Sequence, residues 1–264
     1  MLRRTFLHLH GVGEATERRW WGEGWTDWSD YLSARDPPGP PAARVENRRR
    51  VEECDACWSR GAWGRLDRLL PASVHWRAYG DFAETALYLD LETAGDAANT
   101  ITLIGLFDGR TYRPYIAGRD LDEALRQIDR YPLLVTFNGA LFDLPVLRAH
   151  FRNEPLNALH IDLRYPSRRL GLRGGLKRIE EAPGLRRPAE VRGLDGWDAV
   201  RLWAEYRGGS RAALDRLVAY NREDTQNLKT LMEEVWARLS PTFAEEPPGG
   251  RAPEPRPQPS RFQQ

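Results

Sequence analysis

Two carboxylates stand at alternate positions at the end of an apolar run, Ala86-Leu87-Tyr88-Leu89-Asp90-Leu91-Glu92. An extended chain puts every second side chain on one face, so in a strand Asp90 and Glu92 point the same way, side by side. Like charges at that spacing repel unless a cation lies between them. Asp143 and Asp224 are further carboxylates in suggestive contexts. Four such groups could hold two Mg²⁺ or Mn²⁺ ions, the equipment for hydrolysing a phosphodiester.

The 264 residues allow one substantial domain and a small one. A hydrophobic content of 41% with 10 Trp is compatible with a real core. The longest apolar stretches are far short of the roughly 20 residues needed to cross a bilayer. The N-terminal Met1-Leu2-Arg3-Arg4-Thr5-Phe6-Leu7-His8 has no long apolar core and no small-residue cleavage site. No membrane segment and no secretion signal are expected, and the reading is cytoplasmic. Both cysteines lie in Cys54-Asp55-Ala56-Cys57, which argues against a disulfide scaffold and suits a reducing compartment. Their spacing fits zinc, but a tetrahedral site needs two more ligands. His75 is a conceivable third, and structural zinc is not expected.

Net charge is +1, but its distribution is uneven. Residues 81–162 carry 7 basic and 13 acidic groups, whereas residues 163–211 carry 12 basic and 6 acidic. An acidic block followed by a basic one fits a metal site beside a phosphate-binding surface, although ordinary charge variation gives such blocks too.

Residues 1–80 read as a small helical N-terminal domain with an exposed proline-rich loop near 34–41. Residues 241–264, rich in Pro, Glu, Gly and Gln, read as a disordered tail. Between them, 81–240 alternates strands and helices. Ala86–Leu91 is an apolar strand; Ile101–Phe107 and Thr111–Ile116 flank the hairpin signal Asp108-Gly109. Leu121, Leu125 and Ile128 form one helical face. Strands are expected at 133–137 and 159–162. Helices are expected from Pro145 to about Phe151 and near 175–182, 196–206 and 210–239. The order β-β-β-α-β-α-β-α, with a mixed five-stranded sheet, is that of the α/β ribonuclease H-like fold.

Three motifs follow in order: Asp90-Leu91-Glu92-Thr93, then Thr136-Phe137-Asn138-Gly139-Ala140-Leu141-Phe142-Asp143, then Tyr220-Asn221-Arg222-Glu223-Asp224. In the third, Tyr220 and Asp224 share a helical face. The set resembles the tyrosine-bearing branch of the DEDD superfamily of 3′–5′ exonucleases. Together with Val135–Gly139, His160–Arg164 and Gly175–Glu180, it is similar to the YprB-type ribonuclease H-like domain. The resemblance implies that Asp90, Glu92, Asp143 and Asp224 ligate two Mg²⁺ or Mn²⁺ ions and that Tyr220 orients the attacking water. It also implies 3′–5′ exonucleolytic cleavage without bringing a settled substrate; single-stranded nucleic acid, DNA or RNA, is the expected one. Two other functions stay open: a module that binds nucleic acid without cutting it, and a structure-specific endonuclease.

The endonuclease alternative comes from Leu9-His10-Gly11-Val12-Gly13, which looks similar to a helix-hairpin-helix turn whose glycines admit a phosphate. A plain structural staple explains it about as well. Residues 164–187 concentrate Arg164, Arg168, Arg169, Arg173, Lys177, Arg178, Arg186 and Arg187. Of these, Arg168, Arg169 and Lys177, with Asn138 from the second motif, are the expected substrate contacts, against the alternative of a solvated face. Asn138 could instead cap the helix after it. Asp162 could lie near the site or cap the next helix.

Overall fold

The computed structural model describes residues 1–152, 155–180 and 187–241. The expected tail, from residue 242 on, lies outside the described residues, as do Glu181 and Arg186. Five strands form one mixed sheet: β1 (Ala86–Thr93), β2 (Ile101–Phe107), β3 (Tyr112–Ile116), β4 (Leu133–Thr136) and β5 (Leu159–Asp162), in the order β3-β2-β1-β4-β5. β1, β2 and β3 meander antiparallel, while β4 and β5 join in parallel through helical crossovers. β3 is an edge strand, where Pro114, paired with Gly105, withholds a backbone donor without breaking the ladder.

The helices are α1 (Glu14–Gly22), α2 (Trp28–Ser33), α3 (Arg44–Arg60), α4 (Trp63–Leu69), α5 (Tyr79–Phe82), α6 (Glu123–Ile128), α7 (Asp143–His150), α8 (Arg164–Arg169), α9 (Leu176–Glu180), α10 (Gly196–Arg207) and α11 (Arg211–Leu239). They cover both faces of the sheet, and the strands divide their side chains accordingly. Leu87, Leu89 and Leu91 pack with Leu144 and Leu147 of α7 and Ile128 of α6. Ala86 and Tyr88 pack on the opposite face with Leu228, Leu231, Met232 and Val235 of α11. Alternation therefore puts Asp90 and Glu92 on the α11 face, where the apolar row ends.

The N-terminal helices share this second core. Leu2, Phe6, Trp20, Trp28 and Tyr31 belong to the same buried cluster as Tyr88 and Leu231. Burying charge there requires pairing, and Arg77 forks Glu17 at 2.8 and 2.9 Å. The Phe6 N–H donates to the same Glu17 carboxylate at 2.6 Å.

Three local details differ from the sequence reading. The β2–β3 turn centres on Gly109-Arg110, one residue later than expected, because the Asp108 carboxylate accepts from Arg110 N and Thr111 N. Helix α8 lies outside the helices expected from the sequence; its Pro166 sits in the first turn, where a missing N–H costs no intrahelical bond. The glycine turn at 9–13 has an α-helix only on its C-terminal side, preceded by a short 3₁₀ turn at Leu2–Arg4. A methyl group on Gly11 would meet Pro40 Cγ at 2.8 Å, so packing alone accounts for that glycine.

Candidate metal centre

β1 delivers Asp90 and Glu92, and α11 crosses the same sheet face to bring Asp224 opposite them. One carboxylate oxygen from each of Asp90, Glu92 and Asp224 lies within 4.8 Å of the others. Glu92 and Asp224 are buried and Asp90 is partly exposed. Burial first, and neighbouring carboxylates second, hold Asp90 well above the usual carboxylate range and push Glu92 up to about 8. Asp224 is raised by burial as well, against the opposing pull of Arg187.

Asn221, fully buried, stands among these groups. Its amide donates to Asp90 Oδ2 at 2.8 Å and to Glu92 Oε1 at 3.3 Å, and its carbonyl accepts from Tyr112 OH at 2.9 Å. Room for it comes from Gly105 on β2, which pairs with Asp90 across the ladder.

Asp143 belongs to the same region but not to the tight trio. It opens α7 and is buried. Burial raises it to about 7, although its own backbone N–H and that of Leu91, the residue between Asp90 and Glu92, favour the ionised form. Its charge is felt at both Asp90 and Glu92.

The loop leading to Asp143 is pinned by Asp162 at the end of β5. The Asp162 carboxylate accepts from Asn138 N at 2.7 Å, Ala140 N at 3.1 Å and Arg164 N at 3.0 Å. It therefore holds the first N–H of α8 and braces the second motif at once. Asn138 takes a left-handed conformation, φ 65°, and its side-chain oxygen accepts from Arg164. It does not cap α7, whose N-cap is Phe142.

Tyr220 lies one turn before Asp224 on α11, and its hydroxyl is held far above the ordinary phenol range by burial first and by the charges of Asp224, Glu92 and Asp90. The Lys177 ammonium lies 4.8 Å from the Tyr220 ring centroid and bonds Leu194 O. Its charge favours ionised Glu92. Arg187 is buried against Asp224 and is forked by Glu180 at 2.8 and 2.6 Å.

Arg168 is exposed on α8, and Arg169 pairs with Glu14 of α1 at 3.0 Å. Cys54 and Cys57 are buried, and both ring nitrogens of His75 are engaged, with His160 O and Leu70 O. Sequence reasoning missed Asn221, Gly105 and Tyr112, and it read Arg187 as part of a basic phosphate-gripping segment, whereas the structure pairs it with Glu180 and Asp224. Asn221 had one available signal, a polar residue inside the third motif at a helix position facing the sheet.

The crowded, mutually repelling oxygens of Asp90, Glu92 and Asp224, the last two buried, are hard donors, the set that Mg²⁺ or Mn²⁺ prefers. The residues thus fit a divalent cation. No described helix is long and apolar enough to cross a membrane.

Fold and site together define an α/β domain of the ribonuclease H type with an acidic centre at the end of its first strand. The chain belongs to the RNase_H superfamily, whose family profile it matches over residues 87–236. Among solved structures it is similar to the family B DNA polymerase from the hyperthermophilic archaeon Pyrobaculum calidifontis. That likeness has 16% identity and a TM-score of 0.47, and covers 57% of this chain and 24% of the polymerase. The chain thus spans about a quarter of that protein's length. No curated protein matches it.

Proposed function

We propose that this chain is a divalent-metal-dependent nuclease that hydrolyses phosphodiester bonds, acting as a 3′–5′ exonuclease on single-stranded nucleic acid. The observation that carries this reading is the convergence of Asp90, Glu92 and Asp224, from a strand and a distant helix, to within 4.8 Å. These three would hold one Mg²⁺ or Mn²⁺, and Asp90 with Asp143 would serve a second. A bound divalent cation supplies Lewis-acid stabilisation of the phosphate and acidifies water.

The chain's own residues do the rest. Tyr220 stays protonated across the physiological range because burial and three nearby acids oppose its ionisation. It is therefore a hydrogen-bond donor that orients the attacking water, not a base that deprotonates it. Lys177, beside Tyr220 and Glu92, offers a positive charge to a phosphate oxygen at the mouth of the site. Asn138, on the braced loop, and Arg168 and Arg169, farther out, would guide the strand. Polarity rests on the sequence resemblance, with the Tyr220–Asp224 pair as its support.

The test is cleavage of 5′-labelled single-stranded DNA and RNA in Mn²⁺. A product ladder shortening from the 3′ end is expected from the wild type and is lost in Asp90→Ala. Binding without turnover, or cutting of a circular single strand, would overturn the exonuclease reading.

A further inference from the structure

Arg187 sits inside the acidic centre, 8% exposed. One of its nitrogens, Nη2, is shared between the Asp224 carboxylate and Glu180. Its Nε also bonds Glu180, at 2.8 Å, and Asn227 braces Glu180 at 3.2 Å. The remaining nitrogen, Nη1, is buried with no hydrogen-bond partner among the described residues. A divalent ion bound to Asp224 and this guanidinium would be like charges on one carboxylate inside a poorly screened site, where they repel strongly.

We propose that Arg187 is the resident counter-cation of the centre, and that a divalent metal takes Asp224 by displacing it, leaving the guanidinium with Glu180. The inference rests on the metal-site reading above. The asymmetry of the contacts supports it. When Arg187 gives up Asp224 it keeps both bonds to Glu180, so the exchange strands no buried charge on the arginine side. Asp224 for its part trades a guanidinium for a metal. The Glu180–Arg187 pair thereby sets the metal concentration at which the centre fills. It also keeps the carboxylates charge-compensated before the metal arrives.

The test is Mn²⁺ binding to the full chain, followed by electron paramagnetic resonance, with thermal unfolding in chelator as a second readout. Arg187→Gln should bind Mn²⁺ about tenfold more tightly than wild type, because a competing charge is gone, and its metal-free form should melt lower. Glu180→Gln works in the opposite sense: it leaves Arg187 to Asp224 alone, so Mn²⁺ affinity should fall. This second variant decides the matter if Arg187→Gln does not fold. Affinity unchanged or weakened in Arg187→Gln, or raised in Glu180→Gln, would show that Arg187 merely orients Asp224, and would overturn the exchange. Failure of the wild type to bind Mn²⁺ would instead remove the metal-site reading, and the exchange with it.

Discussion

Gly105 and Asn221 occupy one space: a methyl group on Gly105 would lie 1.8 Å from the Asn221 side-chain oxygen. The glycine faces Asp90 across the ladder, and the volume it leaves open lets the Asn221 amide reach both Asp90 and Glu92. Gly105→Ala should therefore push Asn221 off the carboxylates. Overpacking of this kind costs about 1–3 kcal/mol, read as a lower denaturant midpoint, with a loss of nuclease activity larger than the loss of folded protein.

The carboxylates of the trio destabilise the metal-free protein by crowding charge. Glu92→Gln should raise the metal-free melting temperature, since it removes an acid whose ionisation burial opposes, whereas Asp224→Asn also breaks the ion pair to Arg187 and should not raise it. Activity should fall about a thousandfold or more in either variant. Calorimetry in chelator and single-turnover cleavage check the two halves separately.

Stability should depend on pH with a sign opposite to that of ordinary salt-bridged acids. Glu92 is raised from 4.5 to about 8 and Asp143 from 3.8 to about 7. Within those windows the native state binds more protons than the unfolded chain, so stability falls as pH rises. The stabilisation is full below about pH 4 and is lost by about pH 8. In chelator the melting temperature should drop from pH 5 to pH 8, and saturating Mg²⁺ should recover more of it at the upper end. A flat profile in chelator would contradict the crowding.

Asp162 positions the second motif through the backbone N–H groups of Asn138 and Ala140 and also holds that of Arg164. Asp162→Ala strands those donors and should cost about 1–3 kcal/mol. Its activity should fall through a loosened Asp143, with Mn²⁺ affinity at the Asp90–Glu92–Asp224 trio little changed. Equal loss of both would show that Asp162 acts on the whole fold.

Arg168 and Arg169 carry the expected strand-guiding role. Replacing both with Ala should weaken nucleic-acid binding and reduce the slope of log affinity against log salt by about one to two. Because Arg169 is paired to Glu14, Arg168 should account for most of that change. An unchanged slope would remove α8 from the binding track.

How the sequence announced this site, and where it fell silent, follows from the range of each interaction. Asp90 with Glu92, and Tyr220 with Asp224, lie on one face through strand and helix periodicity alone, so both pairs could be read locally. The meander of β1 to β3 and the later α/β units were legible from apolar runs and turn residues. Gly105 opposite Asn221, and Arg187 between Glu180 and Asp224, depend on how α11 and α9 lie over the sheet, which no local pattern encodes. Asp162 stayed ambiguous for the same reason: capping Arg164 is local, but bracing Asn138 and Ala140 needs β4 and β5 in register.

The most direct measurement is anomalous diffraction from crystals of the wild-type chain soaked in Mn²⁺. The account predicts a peak at about 2.2 Å from carboxylate oxygens of Asp90, Glu92 and Asp224, near the usual reach of small divalent ions, with Arg187 withdrawn to Glu180. A fully soaked crystal with no peak there, and Arg187 still on Asp224, would contradict it.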